Sequence, residues 1–451
     1  MTSLSSLAGN PHIDALLNLI SSTVKEIVME YEKVGYAVPS LDDTKPGPFD
    51  LTENSTLGLT RAVQIVEGAC AQLCATVARP SHYIVNKAYC YYQSSCLQVA
   101  VSAKISDILL DKTDGMHVGE ISKASGIESG KLSRVLRLLT SQHCYREVAP
   151  DTFANNRLSM KLLSNDAIGS FVGHATDESM KAGAYLWASL SDPGWGSSYE
   201  VEKTAFKKAM GLSAFNWFNH TPIGKSVHER FDRGMVGAGE FNGLGLLTKV
   251  YPWESLPKDT VLCDVGGGKG HAALTVLKAF PHMKAVVQDL DHVVSAGKAL
   301  WMEECRSAVD ADKVAFVPID FLKDTPVSSC DIYYVRQVLH DWPDSDCVRI
   351  LANIRKAMKP SSRVLIHELT YLHLLPSKPE GSTLDRAPEP LLPNFGAGLF
   401  KVYMEDINMM TMMNAKERSL EMFIQLGEQV GLKFVNFHNC GETGLIELAL
   451  P

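Results

Sequence analysis

The chain has 451 residues, more than one hydrophobic core usually serves, so two domains or one large domain with helical additions is expected. Hydrophobic residues at 45% and charged residues at 21% argue against a largely disordered or fibrous chain. A formal net charge of −8 argues against non-specific nucleic-acid binding, which needs surplus Lys and Arg to displace phosphate counterions.

From Ile13 the apolar residues Leu16, Leu17, Ile20, Val24, Ile27, Val28 and Tyr31 recur at helical spacing and mark one face of a helix. Residues 37–56, with Pro39, Pro46 and Pro48, read as a linker. Two more helices are predicted on either side of Pro80, starting near Leu57 and Ile84. Between about 99 and 163 the pattern is three helices and a short hairpin. Gly126 ends one helix and Ser129 is the predicted N-cap of the next, which aligns Leu132, Val135, Leu136 and Leu139. The Pro150-Asp151 turn then makes residues 145–158 the wing of a winged helix. Lys131, Arg134 and Arg137 on that helix would suit a DNA-reading face, but the acidic chain favours a packing and dimerisation module.

From Val261 onward strands and helices alternate. Short apolar runs at 261–265, 285–287, 314–317, 332–335 and 363–369 have the character of buried parallel strands. A helix near 416–430 and strands near 433–437 and 444–448 complete a doubly wound α/β sheet. Residues 376–400 hold Pro376, Pro379, Pro388, Pro390 and Pro393, and are expected to form a long surface loop over the active site. The ten cysteines make no Cys-x-x-Cys pair and no zinc-like spacing, which suits reduced thiols in the cytoplasm. Neither a secretory segment nor a membrane span is expected.

The segment Asp264-Val265-Gly266-Gly267-Gly268-Lys269-Gly270 follows the first strand and opens a helix, so its backbone can approach a ligand closely. A dinucleotide fingerprint would need glycine or alanine where His271 stands. Asp264, at the strand end, would repel a pyrophosphate and attract a sulfonium, which favours S-adenosylmethionine over a nicotinamide cofactor. Asp289 ends the second strand where an acid can accept from ribose hydroxyls, with Asp291 a competitor. Asp320 and Phe321 end the third strand, where an acid can accept from an adenine amino group while a ring stacks on the base.

His340, in Arg336-Gln337-Val338-Leu339-His340-Asp341-Trp342, leaves the fourth strand on the ligand side and is the predicted general base. An ordinary histidine near pKa 6.5 deprotonates a phenol near 10 uphill by about 3.5 units, roughly 5 kcal/mol, so carboxylates must raise its basicity or proton removal must accompany transfer. Glu368, ending the fifth strand, and Glu417, placed at the start of the following helix, are the candidate acids. Asp341, Asp344 and Asp346 would suit a metal, but more simply open the helix after Pro343, so no metal is expected.

The glycine loop, the Gln288-Asp289-Leu290-Asp291-His292-Val293 stretch, the His340-Asp341-Trp342 core and the Lys416-Glu417-Arg418 triplet together resemble the caffeic-acid-type small-molecule O-methyltransferases, especially the fungal branch. The resemblance runs from about residue 99 to the end and implies a metal-independent homodimer with an N-terminal winged-helix domain and a Rossmann-like catalytic domain. By position it implies Asp264, Gly266, Gly268, Gly270, Asp289, Leu290, Asp320 and Phe321 as cofactor contacts, His340 as base, and Glu368 and Glu417 as its flanking acids. Arg336 stands where plant members carry a cofactor-binding lysine. Met235, and more loosely Met409, resemble acceptor-packing methionines. Asp291 replaces a common proline, Asn414-Ala415 replaces a glycine pair, and residues 376–400 have no plant counterpart.

The expected organisation is a helical and winged-helix dimerisation domain at 1–165, connecting helices contributing to the acceptor pocket at 166–240, and a Rossmann-like catalytic domain at 241–451. The expected activity is metal-independent methyl transfer from S-adenosyl-L-methionine to a hydroxyl of a small aromatic or polyketide-like acceptor, with neither nucleic acid nor membrane as partner. The rivals are an enzyme of this fold that binds the cofactor but catalyses a rearrangement or decarboxylation, a winged-helix regulator sensing a small molecule, and a nicotinamide oxidoreductase.

Overall fold

The computed structural model describes residues 10–51, 54–372, 374 and 385–451. The chain divides into two compact units, one of 1–55, 69–241 and 411–413, the other of 56–68, 242–410 and 414–451. Both the helix Leu57–Val77 and the helix Lys401–Met413 therefore contribute residues to each unit.

In the first unit the predicted N-terminal helix is Pro11–Lys33, with Asn10 accepting from the Ile13 N–H and proline in the first turn. It buries Leu16, Thr23 and Tyr31, while Val24 and Val28 of the predicted stripe stay 41% and 38% exposed. The linker is tied down by an ion pair between Asp50 and Arg157. The helix expected from Ile84 begins earlier, at Pro80, whose fixed φ suits a first turn; it runs Pro80–Tyr89 and is followed by Tyr91–Ser102.

The winged helix forms as read. Strand β1 (Met116–His117) pairs with β3 (Thr152–Ala154), which pairs with β2 (Arg146–Ala149), and the helices Val118–Ser125 and Ser129–Ser141 stand between β1 and β2 in the chain. Gly126 ends the first helix in the left-handed conformation. The cap of the second is Glu128, not Ser129: its carboxylate accepts from the Gly130 and Lys131 N–H groups, because a longer acid one residue earlier reaches the same orphan donors. Ile105, Leu109, Ile121, Leu132, Leu136, Leu139 and Phe153 form the core. Arg137 is engaged with Asp151 at the wing turn, a structural use for one of the three basic residues.

The second unit holds β4 (Val261–Val265), β5 (Lys284–Asp289), β6 (Val314–Pro318), β7 (Ile332–Arg336), β8 (Arg363–Tyr371), β9 (Arg418–Ser419), β10 (Lys433–Asn439) and β11 (Thr443–Ala449). The order across the sheet is β10-β11-β8-β7-β4-β5-β6, with β9 pairing on β8. Pairing is parallel from β6 to β8, and β11 and β10 are antiparallel additions. Alternate residues face opposite layers. Cys263 and Val265 pack with Ile350, Leu351, Ile354 and Phe423, while Leu262 packs with Ala273, Val276, Leu277 and Trp253. Helices cover both faces, so the strands read as unbroken apolar runs. Strand β4 lies between β5 and β7, so the chain reverses its winding there, and in open sheets of this kind ligands bind outside the carboxyl ends of the strands at that point.

Two expectations for the second unit change. The last helix begins at Leu420, not near 416, because residues 418–419 are drawn into pairing with the end of β8. The proline-rich stretch is not simply a surface loop. Its residues 376–384 lie outside the described residues, but Leu391 and Phe395 in its second half are buried at 7% and 3% exposure. Gly398 packs so closely that an added Cβ would stand 2.0 Å from the Gln64 carbonyl oxygen. Among the described residues no helix is long and apolar enough to cross a membrane, and all ten cysteines are free.

Candidate active site

The turn after β4 carries three glycines with positive φ, Gly266 at 71°, Gly268 at 58° and Gly270 at 80°, a region costly to other residues. A Cβ on Gly266 would come within 2.7 Å of Val338 and 3.3 Å of Phe321, whereas one on Gly268 would meet nothing within 4 Å. The turn is therefore packed from below and open at its middle. Under Gly267 lies the Asp264 carboxylate, whose Cγ would stand 2.5 Å from a Cβ there. Asp264 is 1% exposed and neither oxygen makes a hydrogen bond of ordinary geometry. Burial pushes its pKa up to about 7, against the opposing pull of the Arg336 guanidinium and the Ala273 N–H. An unpartnered buried acid beneath a side-chain-free turn suits a ligand carrying positive charge.

Asp289 ties that turn to the end of β5. Its Oδ2 accepts from the Gly268 N–H at 2.9 Å and its Oδ1 from the Leu290 N–H at 2.7 Å. Leu290 is half exposed and precedes the helix Asp291–Glu304, whose first turn takes Asp291, so Asp289 is the acid facing the turn. Phe321 borders Gly266 and meets Trp342 edge to face at 6.0 Å. Asp320 is engaged within its own loop, by Lys323 at 2.6 Å and the Leu322 N–H at 3.2 Å; Lys323 holds its pKa below the usual range. Arg336 donates to the Asn242 carbonyl at 3.3 Å and its Nε has no hydrogen-bond partner.

His340 sits in a short turn, Leu339–Asp341, just beyond β7. Its Nδ1 lies 2.8 Å from Glu417 Oε1, and its Nε2 is 3.6 Å from Asp341, too far for a hydrogen bond. The side chain is 13% exposed. Burial alone would depress its pKa, but the charges of Glu417, Asp341 and Glu368 outweigh this and hold it well above the ordinary value. Glu368 makes no hydrogen bond to the ring. Its Oε1 accepts from the Val338 and Leu339 N–H groups, both at 2.9 Å, so it fixes the turn that carries His340, and burial pushes its own pKa to about 7. His367, on β8, is spent on structure, bonded to Tyr334 at 2.6 Å and Thr443 at 2.7 Å.

Glu417 is in neither a helix nor its first turn, so the expectation of a helix-start residue is wrong. The preceding helix ends at Met413, Asn414 reverses the chain at φ 55°, and residues 416–418 dock on the histidine turn. Lys416 N–H donates to the His340 carbonyl at 3.2 Å, and Lys416 Nζ lies 2.7 Å from Asp344. Arg418, fully buried, donates to the Leu339 and Trp342 carbonyls, both at 2.7 Å, and pairs with Asp344 at 2.8 Å. Nothing in the sequence reading singled out Arg418 as the residue holding that turn; its place in the Lys416-Glu417-Arg418 triplet was the available signal.

His340, Glu368 and Glu417 offer three possible metal-ligand atoms within 4.8 Å of one another. In the structure one Glu417 oxygen is committed to the imidazole and one Glu368 oxygen to backbone N–H groups. Asp344 and Asp346, considered as ligands from the sequence, open the helix Asp344–Ala357, and Asp344 is taken by Lys416 and Arg418. Met409 is buried on the helix Lys401–Met413, whereas Met235, on Pro222–Phe241 in the first unit, is 39% exposed.

A family model described as an O-methyltransferase domain matches residues 187–433, and one described as an O-methyltransferase dimerisation domain matches 85–165. A protein named 3-O-methyltransferase 2 from Phanerochaete chrysosporium is 46% identical over 440 residues, 97% of each chain. Among solved structures, a mitomycin 7-O-methyltransferase aligns with a TM-score of 0.65 at 24% identity over 82% of this chain and 98% of the other. A pericyclic reaction enzyme aligns with a TM-score of 0.70 at 17% identity over 96% and 99%. At those identities the two structures show a shared fold alone. The near-full-length relative and the domain model identify an enzyme: the chain belongs to the S-adenosylmethionine-dependent O-methyltransferases of the plant and fungal caffeic-acid type.

Proposed function

We propose that His340 is the general base of a metal-independent methyl transfer to a hydroxyl of a small aromatic or polyketide-like acceptor. The observation that carries this reading is the 2.8 Å contact between His340 Nδ1 and Glu417. An imidazole whose Nδ1–H is committed to a carboxylate holds its lone pair at Nε2 when neutral, so one defined atom is left to take a proton. Raising the basicity of His340 also narrows the gap of about 3.5 units to a phenol, each unit being worth roughly 1.4 kcal/mol. The proton then rests on an imidazolium between Glu417 and Asp341, which stabilise it.

The residues around the glycine turn fit the family's cofactor: Asp264 is an unpartnered buried acid, Gly268 is open to close approach, and Phe321 borders the turn. S-adenosylmethionine, when bound, supplies an electrophilic methyl group on a sulfonium. In this reading Asp264, Gly266, Gly268, Gly270, Asp289, Leu290, Asp320, Phe321 and Arg336 hold the cofactor, and holding both reactants in line provides much of the acceleration. The assignment of Met235 and Met409 to acceptor packing rests on family resemblance. A homodimer is supported by the matched dimerisation domain and by the half-covered apolar stripe of Pro11–Lys33.

The test is incubation with methyl-labelled cofactor and a panel of phenols, with and without EDTA, followed by mass spectrometry. The expected result is a labelled methoxy product with equimolar S-adenosylhomocysteine, unchanged by EDTA. Product formed without S-adenosylhomocysteine would point to a non-methylating enzyme, and loss of activity in EDTA would refute metal independence.

A further inference from the structure

We propose that Asp406 is a positioning residue for the reaction: it holds the main chain at Glu417, and through Glu417 it fixes His340. This rests on His340 being the base. Asp406 lies on the helix Lys401–Met413, and its Oδ1 accepts from the Glu417 N–H at 2.9 Å. That N–H belongs to a residue just past a left-handed reversal at Asn414, where no helix or strand supplies an acceptor. The neighbouring residues are fixed separately, Lys416 by its main-chain N–H on the His340 carbonyl and Arg418 by its guanidinium on the carbonyls of Leu339 and Trp342. Asp406 is thus the only one of these clamps that acts on Glu417 itself. Glu417 has one oxygen on His340 and the other without a partner, so its side chain has a single hydrogen bond to set its direction. With that side chain so lightly held, the placement of its backbone decides where its carboxylate points.

The alternative is that Asp406 acts only as a half-buried charge. The groups facing Glu417 and His340 are Asp341, Glu368, Glu405, Asp406, Lys416 and Arg418, and all but the last two are acids. A fifth negative charge would raise the His340 pKa without any orienting bond. The two roles separate with Asp406→Asn and Asp406→Ala, since asparagine keeps an acceptor oxygen and loses only the charge.

The experiment measures kcat and KM for the cofactor against pH in the two variants, with thermal melts. Positioning predicts that D406A lowers kcat by about 10- to 100-fold with KM for the cofactor within about threefold. It predicts that D406N restores kcat to within about threefold of wild type. Equal losses in D406N and D406A would overturn the proposal in favour of a charge effect, and an unchanged kcat in D406A would overturn it outright. If D406A fails to fold, D406N against Asp406→Leu at matched melting temperature decides by the same comparison. Should His340→Gln keep full activity, the base assignment fails instead, whatever Asp406 does.

Discussion

Replacing Glu417 by glutamine keeps the shape and a hydrogen-bond acceptor but removes a charge 2.8 Å from His340 Nδ1. Glu417 is 2% exposed, so little solvent screens the pair. At an effective dielectric near 20 the Coulomb energy of two charges at about 4 Å is on the order of 4 kcal/mol, and opposite charges at such range typically move a pKa by about 1–3 units. Asp341 and Glu368 remain in E417Q and keep part of the shift. The acid limb of the kcat/KM profile, read from S-adenosylhomocysteine release between pH 5 and 10, should therefore fall by about 1–3 units. The plateau rate should drop about 10- to 100-fold, because a weaker base meets an unchanged acceptor. Stability gives an independent sign. Since His340 is raised in the folded protein, its contribution is fully present below about pH 6.5 and is lost as pH climbs through the raised value. Melting temperatures of the native protein should fall over that range, and those of E417Q should fall less. An acid limb that stays in place in E417Q, or moves up, would refute this reasoning.

Three further outcomes follow from the same geometry. Gly266→Ala should weaken cofactor binding by calorimetry at least tenfold, since its Cβ would stand 2.7 Å from Val338 at a φ of 71°; unchanged affinity would show that the turn does not hold the cofactor. Arg418→Met should lower unfolding stability in urea by about 2–5 kcal/mol, because it strands two carbonyls at about 1–3 kcal/mol each, while the half-exposed Asp344 keeps Lys416; a loss under about 1 kcal/mol would contradict the clamp. Glu368, raised to about 7, contributes stability below about pH 4.5 that is lost as pH rises toward 7, so Glu368→Gln should flatten the melting curve in that window; an unchanged slope there would contradict it.

The glycine turn and His340 were legible because each follows a strand end, where architecture decides what lies nearby and glycine spacing reports the backbone conformation directly. The winged helix was legible from periodicity and from Gly126 and Pro150-Asp151. Glu128 was missed because Ser129 is the commoner cap, while a longer acid one residue earlier reaches the same donors. Glu417 was found but misplaced. Its apolar followers Leu420, Phe423 and Leu426 announce a helix, yet pairing of 418–419 with β8 delays the start, a long-range contact invisible to local pattern. Glu368 was found beside His340, whose protonated form its charge favours, but its hydrogen bonds go to two backbone N–H groups of the turn, which a strand-end position does not announce. Asp406 carried no distinctive signal because acids on helices are ordinary on any surface, and Arg418 was marked only by its place in the Lys416-Glu417-Arg418 triplet, which says nothing of the carbonyls it holds. The second half of 376–400 read as loop for its prolines, yet Leu391 and Phe395 bury against the helix that begins at Leu57.

The most direct test is single-turnover methyl transfer by His340→Gln, run beside calorimetry for S-adenosylmethionine. The account predicts cofactor affinity within about threefold of wild type and transfer slowed by about 10²- to 10⁴-fold, the usual worth of a positioned base. Transfer at the native rate with the cofactor bound normally would contradict it.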